Sequence, residues 1–309
     1  MKAVIIENYG GVEQLKYTDM DKPILKENDV LIEVVATSVN PVDWKIREGY
    51  LKGMLQYHFP LILGWDAAGT IIEIGKNVTK FKIGDEVFTR PDISRNGTYA
   101  EFVAVDEQLV AKKPKNISFE EAASIPLVGL TAWQCLIDFA DIKNGERVLI
   151  HAGAGGVGSF AIQLAKAQGC WVATTCSTKN VEFVQSLGAD KVIDYKKEDF
   201  TVSLKDIDVV FDTLGGDIQK QSYQVLKEGG RLVSITTRPN EELAKEKNIK
   251  TGYVFLEPNG EQLAKIANLI EKGQIHPVIG TILRLEEIKE AHRLSETGHT
   301  KGKIVLRVK

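Results

Sequence analysis

Residues 147–158 read RVLIHAGAGGVG. A short apolar run ends in a glycine-rich turn, and the amphipathic stretch GVGSFAIQLAKAQG (156–169) follows. Gly153, Gly155 and Gly158 match the pattern G-x-G-x-x-G between a strand and a helix. In that setting one glycine permits the tight turn and another lets the backbone approach a pyrophosphate, while Gly158 lets the helix pack closely on the strand. The free N–H groups at the helix start then hold the anion. A glycine-rich turn without a ligand is the alternative for the same residues.

Downstream, strand-like and helix-like segments alternate: CWVATTC (170–176), NVEFVQSLG (180–188), KVIDY (191–195), DVVFDTLG (208–215), IQKQSYQVLKEG (218–229) and GRLVSIT (230–236). This alternation predicts a doubly wound parallel sheet with helices on both faces. The near-continuous apolar strands fit burial on both sides. The second strand ends in TTCSTKN (174–180), with no acid before Glu182. A site for NAD would place Asp or Glu there to bind the ribose 2′-hydroxyl. Ser177, Thr178 and Lys179 instead offer hydroxyls and a positive charge, which suit a 2′-phosphate. The cofactor expected is therefore NADP(H), although Lys179 also reads as a solvated lysine. In EQLAKIANLIEKG, Leu263, Ile266, Ala267 and Ile270 keep helical spacing. GKIVLRVK reads as a last strand whose place local pattern does not reveal.

Upstream, VLIEVVATSV (30–39), GTIIEIGK (69–76), DEVFTR (85–90) and YAEFVAV (99–105) read as short strands separated by turns. Residues 1–118 thus look all-β. Ser118 and Glu121 have capping-box spacing, and IPLVGLTAWQCLID continues as helix. With 309 residues, two domains are expected. A net charge of −3 and mixed-charge runs favour neither nucleic acid nor an anionic membrane as partner. Three cysteines, Cys135, Cys170 and Cys176, form no disulfide framework or CxxC pair. With no secretory leader or membrane span visible, a reducing, cytoplasmic setting is expected.

The whole chain resembles the medium-chain dehydrogenase/reductase superfamily, and within it the zinc-free quinone oxidoreductase (zeta-crystallin-like) and enone reductase branch. The motifs are SVNPVDWKIREG (38–49), PLILGWDAAGTIIEIGKNVTKFKIGDEVF (60–88), AASIPLVGLTAW (122–133), HAGAGGVG (151–158), SLGADKVIDY (186–195), FDTLGG (211–216) and GKIVL (302–306). The resemblance implies an α/β chain: a GroES-like catalytic domain from 1–120 and 258–309, a Rossmann NADP-binding domain from 121–257, and a cofactor in the cleft between them. It implies a homodimer formed through the nucleotide domain. It has Asn40 face the nicotinamide or the substrate, Thr131 lie by the nicotinamide, and Ala154, Gly155, Gly156 and Val157 line the pyrophosphate. Ser177, Lys179 and Tyr195 would surround the 2′-phosphate, with Phe255 and Lys303 near the cofactor. Packing or surface roles stay open for Thr131, Tyr195 and Lys303.

Zinc members carry a cysteine where Asn40 stands and a GHE triplet where Gly64-Trp65-Asp66 stands. An indole has no lone pair for a metal, and catalytic zinc needs three good ligands at one centre. No metal is therefore expected. Asp66 is expected to pair with Lys45 or Arg47 as scaffold, between two glycines that serve tight turns. The function implied is hydride transfer from NADPH to a quinone or an α,β-unsaturated carbonyl compound. Hydrogen-bond donors would stabilise the developing anion. Asn40 is the first candidate donor and Tyr50 the second, with Tyr57 and His58 behind them. The alternatives are a nucleotide-binding protein with a structural or regulatory role, or a reductase of a specialised enoyl or haloacrylate substrate.

Overall fold

The computed structural model describes all 309 residues. The chain divides into two compact units. One comprises Met1–Leu127, Pro258–Lys272 and Pro277–Lys309; the other comprises Val128–Glu257 and Gly273–His276.

The second unit is built on six parallel strands. From one edge they run Lys191–Asp194, Trp171–Cys176, Arg147–Ile150, Ile207–Asp212, Leu226–Ser234 and Lys250–Tyr253. In chain order this is 3-2-1-4-5-6, the arrangement of a doubly wound dinucleotide-binding sheet. The order reverses between Arg147–Ile150 and Ile207–Asp212, so the glycine turn after Ile150 stands at the switch point. All six residues of Ile207–Asp212 are buried, as the apolar run requires. The helix Gly156–Ala167 buries Phe160, Ala161, Ile162 and Leu164. His151 follows the first strand and is buried, with Nε2 2.9 Å from Ser222 Oγ and Nδ1 3.2 Å from Thr175 Oγ1. Burial pushes it down to about 4, so it is neutral and ties the sheet to the helix Gly216–Val225.

The first unit holds a seven-stranded sheet centred on the long strand Asp29–Val39. That strand pairs antiparallel with Ala67–Ile74 and Phe102–Asp106, and also with Lys303–Arg307. The last pairing sets Val305 against Ser38 and brings the C-terminal strand beside the start of the helix Pro41–Arg47. A smaller three-stranded sheet packs its apolar face, Val4 and Ile6 among others, around Trp65 and Tyr99.

Three features depart from the sequence reading. The segment before residue 118 is not wholly β, because Pro41 opens a helix directly after the central strand. The strand Ile279–Arg284 and the helix Ile288–Glu296 are not read from the sequence: the strand alternates half-buried with exposed residues, and the amphipathic helix buries Ile288, Ala291 and a histidine. Gly69 does not make a turn. It lies inside the strand Ala67–Ile74, where a Cβ would come within 2.1 Å of the Glu33 carbonyl oxygen. No helix is long and apolar enough to cross a membrane.

Candidate functional site

The glycine turn has the geometry of an anion cradle. Gly155 precedes the helix Gly156–Ala167, and its carbonyl accepts the Ser159 N–H at 2.9 Å. The N–H groups of the first helical turn therefore have no intrahelical acceptor and are free for a ligand. A Cβ on Gly158 would lie 2.3 Å from the Ala152 carbonyl oxygen, so only glycine lets helix and strand approach this closely. A Cβ on Gly155 would meet nothing nearer than 3.5 Å, which leaves that side of the turn open for a pyrophosphate. Gly153, Ala154, Gly156 and Val157 complete the same loop.

At the end of Trp171–Cys176 the chain makes the turn Thr178–Asn180. Ser177 Oγ accepts from Asn180 Nδ2 at 3.3 Å, and Thr178 and Lys179 are exposed. The Tyr195 N–H donates to the Cys176 carbonyl at 3.2 Å, which brings the exposed Tyr195 to this edge. The sheet also places Asp194 opposite Cys176, with Lys197 Nζ 3.5 Å from its carboxylate. Burial works against its charge, but the Thr178 hydroxyl, the Lys196 N–H and Lys197 hold it below the usual carboxylate range. The end of the second strand, TTCSTKN, holds no acid of its own. The adjacency of strands two and three was the signal for this one. Thr131 is buried in the helix Pro126–Trp133, and Phe255, beyond the strand Lys250–Tyr253, is 40% exposed.

The first unit contains a buried polar cluster around Asp66, which is fully buried. Its Oδ2 accepts from Ser38 Oγ at 2.8 Å and from Asn40 Nδ2 at 2.7 Å. It also receives Lys303 Nζ at 3.3 Å. Its Oδ1 accepts the Leu127 N–H at 2.8 Å, in the first turn of Pro126–Trp133, where a helix favours negative charge. Lys303 is 5% exposed and donates to Asn40 Oδ1 as well as to the Val39 carbonyl at 3.1 Å. It is not a surface lysine. Burial lowers its pKa, and the carboxylates of Asp66 and Asp43 oppose that fall.

The partners expected for Asp66 are therefore corrected. Lys45 lies over the Trp44 ring instead. Arg47 is fully buried but is engaged by Glu48, by Glu296 at 2.8 Å and by His292 Nδ1 at 3.1 Å. The actual cation comes from the C-terminal strand, which no spacing argument could supply.

Asn40 precedes the helix Pro41–Arg47, and its N–H donates to Asp43 Oδ2 at 2.8 Å. Tyr99 OH donates to the same oxygen at 2.7 Å. Burial lifts Asp43 to about 6 against these two bonds. Trp65 is fully buried, donates to the Arg95 carbonyl at 3.2 Å and stacks on Tyr57 at 6.2 Å. Arg90, missed in the sequence, is 3% exposed and lies 6.0 Å from the Trp65 ring. Tyr57 OH donates to the Ile93 carbonyl at 2.8 Å, and burial pushes its pKa up, which makes it a poor acid. Tyr50 is 69% exposed, edge-on to Trp44, and makes no hydrogen bond to the cluster; His58 is also exposed. No three His, Cys, Asp or Glu side chains gather in a metal-binding group.

Residues 26–115 match the family described as alcohol dehydrogenase GroES-like domain, and residues 187–306 match zinc-binding dehydrogenase. An NADPH-dependent alkenal/one oxidoreductase of Arabidopsis thaliana chloroplasts is 38% identical over 99% of this chain and 79% of that one. The structure of a quinone oxidoreductase from Coxiella burnetii is 39% identical, with a TM-score of 0.92 over 100% of this chain and 99% of that one. The Escherichia coli quinone oxidoreductase, solved in complex with NADPH, is 28% identical, with a TM-score of 0.89 over 99% of this chain and 100% of that one. The sheet order, the glycine turn and these full-length likenesses agree: the chain belongs to the medium-chain dehydrogenase/reductase superfamily, among its quinone oxidoreductase-like and enone reductase-like members.

Proposed function

We propose that the protein is an NADPH-dependent oxidoreductase that reduces quinones or α,β-unsaturated carbonyl compounds without a metal. The observation that carries this reading is the buried ammonium of Lys303 between Asn40 and Asp66. Those two side chains stand where zinc relatives hold a cysteine and a glutamate. Trp65 offers no lone pair, and Asn40 Oδ1 already accepts from Lys303. Positive charge at this point comes from the protein itself. Such a site suits acceptors activated by conjugation, in which charge develops on a carbonyl oxygen.

The residues present fit the cofactor. The open turn at Gly155 suits a pyrophosphate, and Ser177, Thr178 and Lys179 suit a 2′-phosphate. When bound, NADPH supplies the hydride. The chain's own residues do the rest. Lys303 and Asp66 hold the Asn40 amide by both ends, leaving one N–H of Nδ2 for an acceptor oxygen. Tyr57 and Tyr99, both shifted upward by burial, are unsuited to give up a proton, so water returns it. The quinone and alkenal activities printed for relatives support the same class of acceptor. A homodimer in the cytoplasm is part of the proposal.

The test is a panel of quinones, enals and enones, with NADPH and NADH oxidation followed in parallel. Turnover with NADPH well above NADH is the expected result. Tight NADPH binding with no turnover on any acceptor would sink the reductase reading and leave a nucleotide-binding role.

A further inference from the structure

Three cations are buried in this protein: Arg47, Arg90 and Lys303. Arg47 is paired with Glu48 and Glu296, and Lys303 with Asp66. Arg90 has no ion pair. Its Nη1 donates to the Pro91 carbonyl, and its Nε has no partner at all. A buried guanidinium with no direct ion pair and an unbonded Nε is costly by general estimate, and Arg90 is the one buried cation left in that condition.

Its place suggests that use. Thr89 pairs with Ala67 across the sheet, which sets Arg90 opposite Asp66 one step further along. The guanidinium lies against the Trp65 ring, and Tyr57 stacks on that indole. Its charge is felt at Asp66, Asp43 and Tyr57, and also at Lys303. Arg90 and Lys303 thus share one volume of low dielectric with two carboxylates. Lys303 is spent on Asp66 and Asn40, whereas the donors of Arg90 are largely unspent.

We propose that Arg90 joins Asn40 as an oxyanion-binding group of this site and receives the carbonyl oxygen of the acceptor as negative charge collects there. The inference rests on the reductase reading. In that reaction hydride brings its electron pair to the β-carbon. The C=C pair moves to the bond between the α-carbon and the carbonyl carbon, and the carbonyl π pair ends on oxygen. Water then returns a proton at the α-carbon. A planar guanidinium with several fixed donors suits this oxygen better than a mobile ammonium does.

The experiment compares wild type, Arg90→Met and Arg90→Lys with 4-nitrophenol as an oxyanion probe, alongside steady-state kinetics and urea unfolding. At a pH below the probe's own pKa, wild type should bind it as the yellow phenolate. Arg90→Met should lose that band and about 10²-fold or more in kcat/KM, the scale of one lost oxyanion donor. Its unfolding midpoint should hold or rise, because an unpaired buried charge has gone. Arg90→Lys, which keeps the charge without the fork, should retain part of the band. Equal phenolate binding in wild type and Arg90→Met, including none in either, overturns the proposal. So does a failure of both variants to fold, which would make Arg90 scaffold. If wild type turns over no acceptor, the reductase reading falls on its own, and the phenolate difference still decides whether Arg90 binds an oxyanion.

Discussion

Breaking the Asp66–Lys303 pair from either side should expose how unequal its two halves are. Asp66→Asn leaves the Lys303 ammonium buried with no anion, only neutral acceptors such as Asn40 Oδ1 and the Val39 carbonyl. Removing one partner of a buried ion pair costs about 3–5 kcal/mol, so about 4 kcal/mol is expected. Lys303→Met leaves Asp66 with three donors, Ser38 Oγ, Asn40 Nδ2 and the Leu127 N–H, at 2.7–2.8 Å. A carboxylate with two or three such bonds is well held, and about 2 kcal/mol is expected by the general cost of disturbing such bonds. The double variant carries neither charge. It should lose about 3 kcal/mol rather than the additive 6 or so, a coupling of about 3 kcal/mol. The assay is urea unfolding followed by tryptophan fluorescence, to which the fully buried Trp65 beside the pair contributes. Strict additivity in the cycle would refute the reasoning, since it would mean that the two charges do not stabilise one another.

Other outcomes follow from the same geometry. Gly158→Ala should destabilise the nucleotide unit by roughly 1–3 kcal/mol, because its Cβ would sit 2.3 Å from the Ala152 carbonyl oxygen; thermal unfolding checks this. Gly155→Ala meets nothing nearer than 3.5 Å, so its melting temperature should hold while NADPH binding weakens, read by nucleotide fluorescence. Lys179→Ala should narrow the preference for NADPH over NADH by about tenfold, the scale of one charge-assisted hydrogen bond; the ratio of kcat/KM for the two nucleotides reports it. For pH, burial raises Asp43 from 3.8 to about 6, so the native state holds its proton more tightly than the unfolded chain. The stability this contributes is present below 3.8 and lost as pH rises to about 6. Burial lowers His292 from 6.5 to about 3, and the stability of its neutral form is lost as pH falls through that range. The two oppose one another, so Asp43→Asn should lose stability more steeply than wild type on acidification from pH 6 to 4; urea midpoints against pH measure it.

What the sequence made legible were features carried by neighbours along the chain. The strand, glycine turn and helix at 147–169 are read from spacing alone, because Gly155 and Gly158 both answer to the carbonyl of Ala152 only a few residues away; the need for Gly153, set by Thr174 on the next strand, is not local. The start of the helix Phe119–Ala123 is legible in the same way: Ser118 and Glu121 cap it mutually. The buried cluster resisted reading because its members are far apart. Lys303 looks like any lysine in GKIVL until the last strand pairs with Asp29–Val39. Arg90 follows the short strand Glu86–Thr89, and only the register with Ala67–Ile74 sets it opposite Asp66. Asp194 is not legible along the second strand, because the sheet brings it beside Cys176 from the next one.

The separation of Asp66 from its cation also bears on how the chain is made. Lys303 lies 237 residues downstream of Asp66, and the whole of Val128–Glu257 is translated between them. At about 5–20 residues per second, a growing chain carries that carboxylate with no ammonium to meet it for on the order of 10–50 s. The six strands of the parallel sheet are all translated by Tyr253, before Lys303 is made. The Ala36–Val39 end of the central strand lacks its partner on one side until Lys303–Arg307 emerges. The sheet begun by the first residues translated is therefore closed only by nearly the last.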